Sequence, residues 1–192
     1  MQELTNGMIR TLDILLSLTG LITLSPVFLL LVLVGLADTG SPFFLQKRVG
    51  RSQEPFTLVK FRTMRIGTAS VGTHDVDRSS LTKFGKVLRR TKLDEIPQLL
   101  NVLFGDMSLV GPRPCLPSQT ALIRERNMRG VFLVRPGITG LAQVNGVDMS
   151  TPRRLARIDA ILVRNLSLKC YAGLILATVT GRGFGDRVRS DT

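Results

Sequence analysis

At 192 residues and 21.1 kDa, the chain has room for one modest domain with an accessory segment and excludes two full enzyme domains. Lys and Arg number 26 against 14 Asp and Glu, a net charge of +12, yet the mean hydropathy is positive at +0.22. Charge and hydropathy rising together point to a membrane surface before nucleic acid; with aromatics at 5% and no Trp, base-stacking platforms are scarce as well. Cys115 and Cys170 form no CxxC pair and have no His near them, so neither a disulfide framework nor a zinc site is indicated and a reducing compartment is the default.

Ile14 to Ala37 carries no charge and is bounded by Asp13 and Asp38, long enough as a helix to reach across the ~30 Å hydrocarbon core of a bilayer. It exceeds a signal-peptide core, and no A-x-A site follows it. Pro26 divides it, because a proline lacks the N–H and its ring clashes with the preceding turn, while Ser25 can satisfy a freed carbonyl. Each half then spans about 18 Å, nearer half a bilayer than a whole one. A helical hairpin entering and leaving on one face therefore competes with a tilted spanning helix, which the basic character of the chain beyond Lys47 mildly favours.

After Gly40 the chain divides into an anchor, 1–40, and a second unit, 41–192. Phe43 to Lys60 alternates apolar runs with polar and Gly breaks and reads as strands or extended loops, and 66–80 reads as a loop. Ser79 or Ser80 is the expected cap of a short helix aligning Leu81, Phe84 and Leu88. A second helix begins near Asp94-Glu95 with Pro97 in its first turn, buries Leu99, Leu100, Val102 and Leu103, and ends at Gly105. Two rigid turns, 111–114 and 135–140, each carry an Arg and flank a helix from about Pro117 to Met128. Leu155, Ile158 and Leu162 oppose Arg153, Arg154, Arg157 and Arg164 on a helix suited to the headgroup plane, and Cys170–Thr180 is a buried or interfacial helix too short to span.

Asp94-Glu95 at a helix start, with Arg89, Arg90 and Lys92 upstream, suits a carboxylate that attacks phosphorus or binds a divalent cation. The same pair also fits a plain answer to the helix dipole. Lys60, Arg62, Arg113 and Arg135 offer cations to a diphosphate or to anionic lipid. Asp75-Val76-Asp77 matches a short acidic metal pattern, Gly181 to Gly185 reads as a flexible end, and His74 stands alone in its loop.

Taken in order, Ser25-Pro26, Gln46-Lys47-Arg48-Val49-Gly50, Lys60-Phe61-Arg62-Thr63-Met64, Leu93 to Val102, Gly105 to Pro114 and Arg135 to Gly146 closely resemble the small monotopic phosphoglycosyl transferases of bacteria, from about residue 8 to 180. The resemblance implies an α+β, membrane-associated protein: a re-entrant helix broken at Ser25-Pro26, and a small, mainly helical cytosolic catalytic domain with amphipathic interfacial helices at the inner membrane. It implies transfer of a sugar 1-phosphate from a UDP-sugar to undecaprenyl phosphate with release of UMP, as the first membrane step of a surface glycan such as an exopolysaccharide. Asp94 would be the nucleophile and the Mg²⁺ ligand, and Glu95 its partner. Lys60, Arg62, Arg89, Arg113, Arg135, Thr139, Gln143 and Asn145 are the expected substrate contacts, inner-membrane lipid a partner, nucleic acid none, and downstream glycosyltransferases the next in line. Val147 stands where many relatives carry Arg, and Leu162 and Tyr171 replace the usual aromatic and acidic residues. Two other classes compete. A non-catalytic membrane scaffold would tolerate loss of Asp94, and a basic polyanion binder would show steeply salt-dependent affinity and leave the acidic pair without a role.

Overall fold

The computed structural model describes residues 2–68 and 78–181, so His74, Asp75, Asp77 and the tail beyond Gly181 lie outside the described residues. The chain opens with two helices, α1 (Gln2–Thr23) and α2 (Ser25–Thr39), bent by 64° at the Leu24 junction. The break has a local cause. Pro26 cannot donate to the Ile22 carbonyl four residues back, and the Ser25 hydroxyl donates to it instead at 2.8 Å. Among the described residues no single helix is long and apolar enough to cross a membrane, while the bent pair together meets the length and composition of a broken span or a re-entrant loop.

One stripe of each helix faces the rest of the protein. Ile9, Asp13 and Ser17 are buried along α1, and Leu31 and Gly35 along α2, while Leu15, Leu16, Leu18, Leu29, Leu30 and Leu33 stay exposed. Phe28 of α2 meets Phe43 and Phe61 with ring centroids 5.2 to 6.0 Å apart, so the anchor and the following unit share a core.

Strands β1 (Phe43–Val49) and β2 (Pro55–Phe61) form an antiparallel hairpin, pairing Phe43 with Phe61 and Val49 with Pro55. α3 (Lys83–Thr91) follows, and its cap is Thr82, whose Oγ1 accepts from Gly85 N at 2.8 Å. The expected Ser79 and Ser80 fall instead in a 3₁₀ turn, and Leu81 bridges to Met64, because pairing with that segment carries the chain one turn further before the helix starts. The acidic pair lies on a second 3₁₀ turn, Leu93–Glu95, and α4 (Gln98–Phe104) ends at left-handed Gly105 as expected. Only Val102 of the four apolar residues expected inside α4 is fully buried; Leu99, Leu100 and Leu103 are half-buried, and polar Gln98 and Asn101 are buried in their stead. Asn101 explains this: its Nδ2 donates to Thr57 O and its Oδ1 accepts from Val59 N, satisfying the edge of β2 that faces α4.

β3 (Ser108–Val110) and β4 (Gly137–Thr139) run parallel as a second two-stranded sheet, joined through α5 (Thr120–Asn127). α6 (Leu141–Val144), α7 (Pro152–Asn165) and α8 (Leu168–Val179) complete a mixed helix and sheet architecture. The apolar stripe of α7 is closed into the protein rather than laid in a headgroup plane. Leu155 is buried and Ile158 half-buried against the apolar surface of α5 and the Val131–Leu133 turn, and Leu162 is buried with Ile9, Val110, Tyr171 and Leu174. α8 divides its sides: Tyr171 and Leu174 face inward, Leu176 and Val179 outward.

Candidate functional site

Asp94 is 8% exposed on its short turn, a burial that removes a carboxylate from water and raises its cost unless neighbours compensate. Lys92, immediately before this turn, adopts a left-handed backbone (φ 60°), a strained conformation for a side-chain-bearing residue, and it swings the chain from the end of α3 into the acidic pair. Glu95 Oε1 accepts from Arg113 Nη2 at 2.7 Å, a charge-assisted bond between the acidic turn and the first of the two Arg-bearing turns.

Arg113 is held from behind. Its carbonyl accepts from Arg126 Nη1 at 2.8 Å, and Arg126, 2% exposed, pairs with buried Asp159 through Nε at 2.9 Å and Nη2 at 2.7 Å. Burial raises the Asp159 carboxyl above its ordinary range, with Arg126 opposing the shift. Neither residue stands out in the sequence, where Arg126 is one of many helix cations and Asp159 sits in the apolar run of α7. A buried acid at that position, in the middle of an otherwise apolar face, is the signal that could have found the pair.

The two Arg-bearing turns are packed backbone to backbone. Gly137 N donates to Pro112 O and Gly111 N to Thr139 O, and a Cβ on Gly137 would lie 2.0 Å from Gly111 N, so only glycine permits the approach. Strand alternation places Lys60 on the face shared by Phe56 and Leu58, which pack on Val102 of α4, and Lys60 itself is buried. Arg89 Nε donates to Thr63 Oγ1 at 3.0 Å, tying α3 to the Lys60–Met64 segment. Gln98, at the first turn of α4, is buried with no acceptor for its Nε2 among the described residues, a polar group absent from the expected set.

Other expected contacts also bond within the protein. The Arg62 guanidinium donates to Ser41 O, Ser41 Oγ and Phe43 O, clamping the connection out of α2. Arg135 Nε donates to Gly105 O at 2.7 Å, at the far end of α4 from the acidic pair. Thr139 shares a hydrogen bond with Thr178 of α8, Gln143 Nε2 donates to Ile138 O, and exposed Asn145 donates to Leu141 O. Val147 packs half-buried against the core around α5 and α7, so an apolar residue suits its place.

The sequence profile described as bacterial sugar transferase matches residues 4–183. The chain belongs to the bacterial sugar transferase family. The transferase is 40% identical over 171 residues to the uncharacterized sugar transferase EpsL of Bacillus subtilis, covering 88% of this chain and 84% of that one. It is 39% identical to the exopolysaccharide production protein PSS of Rhizobium leguminosarum, with 91% and 97% covered. A third relative, the UDP-glucose:undecaprenyl-phosphate glucose-1-phosphate transferase of Klebsiella pneumoniae, is 41% identical over 181 residues; the match covers 88% of the transferase and 39% of that longer protein.

Proposed function

We propose that the transferase moves a sugar 1-phosphate from a UDP-sugar to undecaprenyl phosphate and releases UMP through a covalent phosphosugar-aspartyl intermediate on Asp94. The observation that carries the reading is the buried Asp94 beside a Glu95 fixed by Arg113, in a family whose relatives include a protein named for this transfer. In the first step an Asp94 carboxylate oxygen attacks the sugar-bearing phosphorus. The acyl phosphate bond forms as the bond from that phosphorus to the bridging oxygen breaks, and the electron pair leaves with UMP. In the second step a phosphate oxygen of the lipid attacks the same phosphorus, and Asp94 departs as a carboxylate. Two displacements through a neutralised acyl phosphate replace one encounter between two anions. The product would pass to downstream glycosyltransferases as the base of an exopolysaccharide or related glycan.

Mg²⁺ fits the donor set. Asp94 and Glu95 are hard oxygen donors of the kind Mg²⁺ takes alongside substrate phosphates and water. Asp94 would hold it, and the bound ion supplies charge neutralisation at the diphosphate. Arg113 and Arg89 stand ready on rigid elements to orient phosphoryl oxygens.

The bent helix pair supports a re-entrant placement at the inner membrane, with both ends and the catalytic residues on the cytoplasmic side. α2 has fifteen residues, about 22 Å of helix against a hydrocarbon core of ~30 Å, and its outward face is apolar. Pro26→Ala restores the missing N–H opposite Ile22 O and is expected to straighten the pair toward a spanning helix. A cysteine placed at residue 2 and labelled from each side reports this, and an N-terminus that stays cytoplasmic would show that Pro26 does not decide topology.

The reaction is tested by UMP release from purified protein given undecaprenyl phosphate, Mg²⁺ and a panel of UDP-sugars. Release with one donor is expected; folded protein that releases no UMP across the panel would overturn the reading.

A further inference from the structure

A polar cavity of about 70 Å³ opens at the C-terminal end of α4 and is lined by Arg10, Arg51, Arg135, Asn6, Asp13 and Leu133, among others. Neither Asp94, Glu95 nor Arg113 lines it. The acidic pair precedes the first turn of α4 and the cavity adjoins its last, so about ten residues, or ~15 Å of helix rise, separate the two.

The cavity is built rather than incidental. Arg10 Nη1 and Nη2 donate to Val102 O (2.6 Å) and Leu103 O (2.9 Å), and Arg135 donates to Gly105 O, so the carbonyls at the end of α4 fix two guanidinium groups in place. Their remaining N–H groups, and Arg51, add cationic donors at the same spot. Among the described residues the Arg51 guanidinium has no hydrogen bond or ion pair. Asp13 is the single carboxylate in the lining, and its Oδ1 is already engaged by three donors. Three guanidinium charges thus face one acid, whose Oδ1 is engaged by Ser108, Leu109 and Tyr171 rather than by any of the three. Arg135 responds as expected: burial, and then Arg10 and Arg51, lower its proton affinity.

The volume is far under the ~300 Å³ at which ordinary small-molecule pockets begin, so the ligand is a small anionic group. The rim says what carries it. Leu133 in the lining is 71% exposed and Phe104, next to Gly105, is 80% exposed, while Arg10 lies one turn before the uncharged stretch that begins at Ile14. A cationic cup with an apolar lip fits a phosphate attached to a hydrocarbon.

We propose that Arg10, Arg51 and Arg135 form a phosphate site, separate from the acidic pair, that holds the headgroup of an anionic membrane phospholipid. The site fixes the depth and tilt of the protein at the bilayer surface and takes no part in phosphoryl transfer.

The test is retention of phosphatidylglycerol by the full chain, released from nanodiscs of phosphatidylglycerol and phosphatidylcholine and weighed by native mass spectrometry. Wild type is expected to keep phosphatidylglycerol selectively, Arg51→Gln to keep about tenfold less, and millimolar inorganic phosphate to displace it. UMP release in detergent is expected to be the same for Arg51→Gln and wild type, which separates this site from the catalytic reading. Equal retention by Arg51→Gln, or no selectivity by wild type, would overturn the proposal. Inorganic phosphate bound at the site with no lipid retained would overturn the lipid assignment and leave a free-anion site.

Discussion

Asp94→Asn is expected to lower UMP release by roughly a thousandfold or more, since an amide keeps the shape of the side chain and supplies no nucleophile. The left-handed backbone at Lys92 and the Glu95–Arg113 bond both remain when an amide of the same shape replaces the carboxylate, so the variant is expected to stay folded with a membrane-bound fraction that matches wild type. Glu95→Gln, which weakens the bond to Arg113 and spares the nucleophile, is the milder companion. Turnover retained by Asp94→Asn would remove Asp94 from the role proposed for it. It would also favour the scaffold reading.

The second large effect concerns stability. Asp13 is 1% exposed, and its Oδ1 accepts from Ser108 Oγ (3.1 Å), Leu109 N (2.9 Å) and Tyr171 OH (2.8 Å), joining α1, β3 and α8 at one atom. Burial and the adjacent Asp13 push the Tyr171 hydroxyl well above its ordinary range, so it stays protonated and donates at every accessible pH. Asp13→Ala leaves three buried donors without an acceptor, each worth about 1–3 kcal/mol of desolvation, and partial rearrangement brings the expected loss to about 3–5 kcal/mol. Tyr171→Phe removes one donor and is expected to cost about 1 kcal/mol. Denaturation of both single variants and the double variant in detergent measures the coupling between them, and additive losses would mean that the bond across 158 residues contributes nothing.

Much of this was written locally in the chain. The bend at Ser25-Pro26 follows from one absent N–H, the stop at Gly105 from one left-handed residue, and the acidic pair from its place at a helix start. What escaped the sequence depends on partners far along it. Asp13 reads as the edge of an apolar run, yet its meaning lies in Ser108 and Tyr171, and Tyr171 itself reads as a departure from the family when it is a buried anchor. Arg62 and Arg135 look like phosphate ligands because cations on rigid turns do; backbone carbonyls at Ser41, Phe43 and Gly105 take part of their hydrogen bonding. The stripe on α7 was visible, but periodicity says only that a face is apolar and is silent on whether protein or lipid covers it.

The short helix α4 joins two sets of fixtures: the acidic pair and Arg113 at its start, and the guanidinium groups of Arg10 and Arg135 at its end. Adding or removing one residue between them would turn one end against the other by about 100° and shift it by about 1.5 Å. The segment therefore works as a fixed spacer whose length is a coded quantity. Natural variants of this protein should differ in residue type along α4 but not in their count.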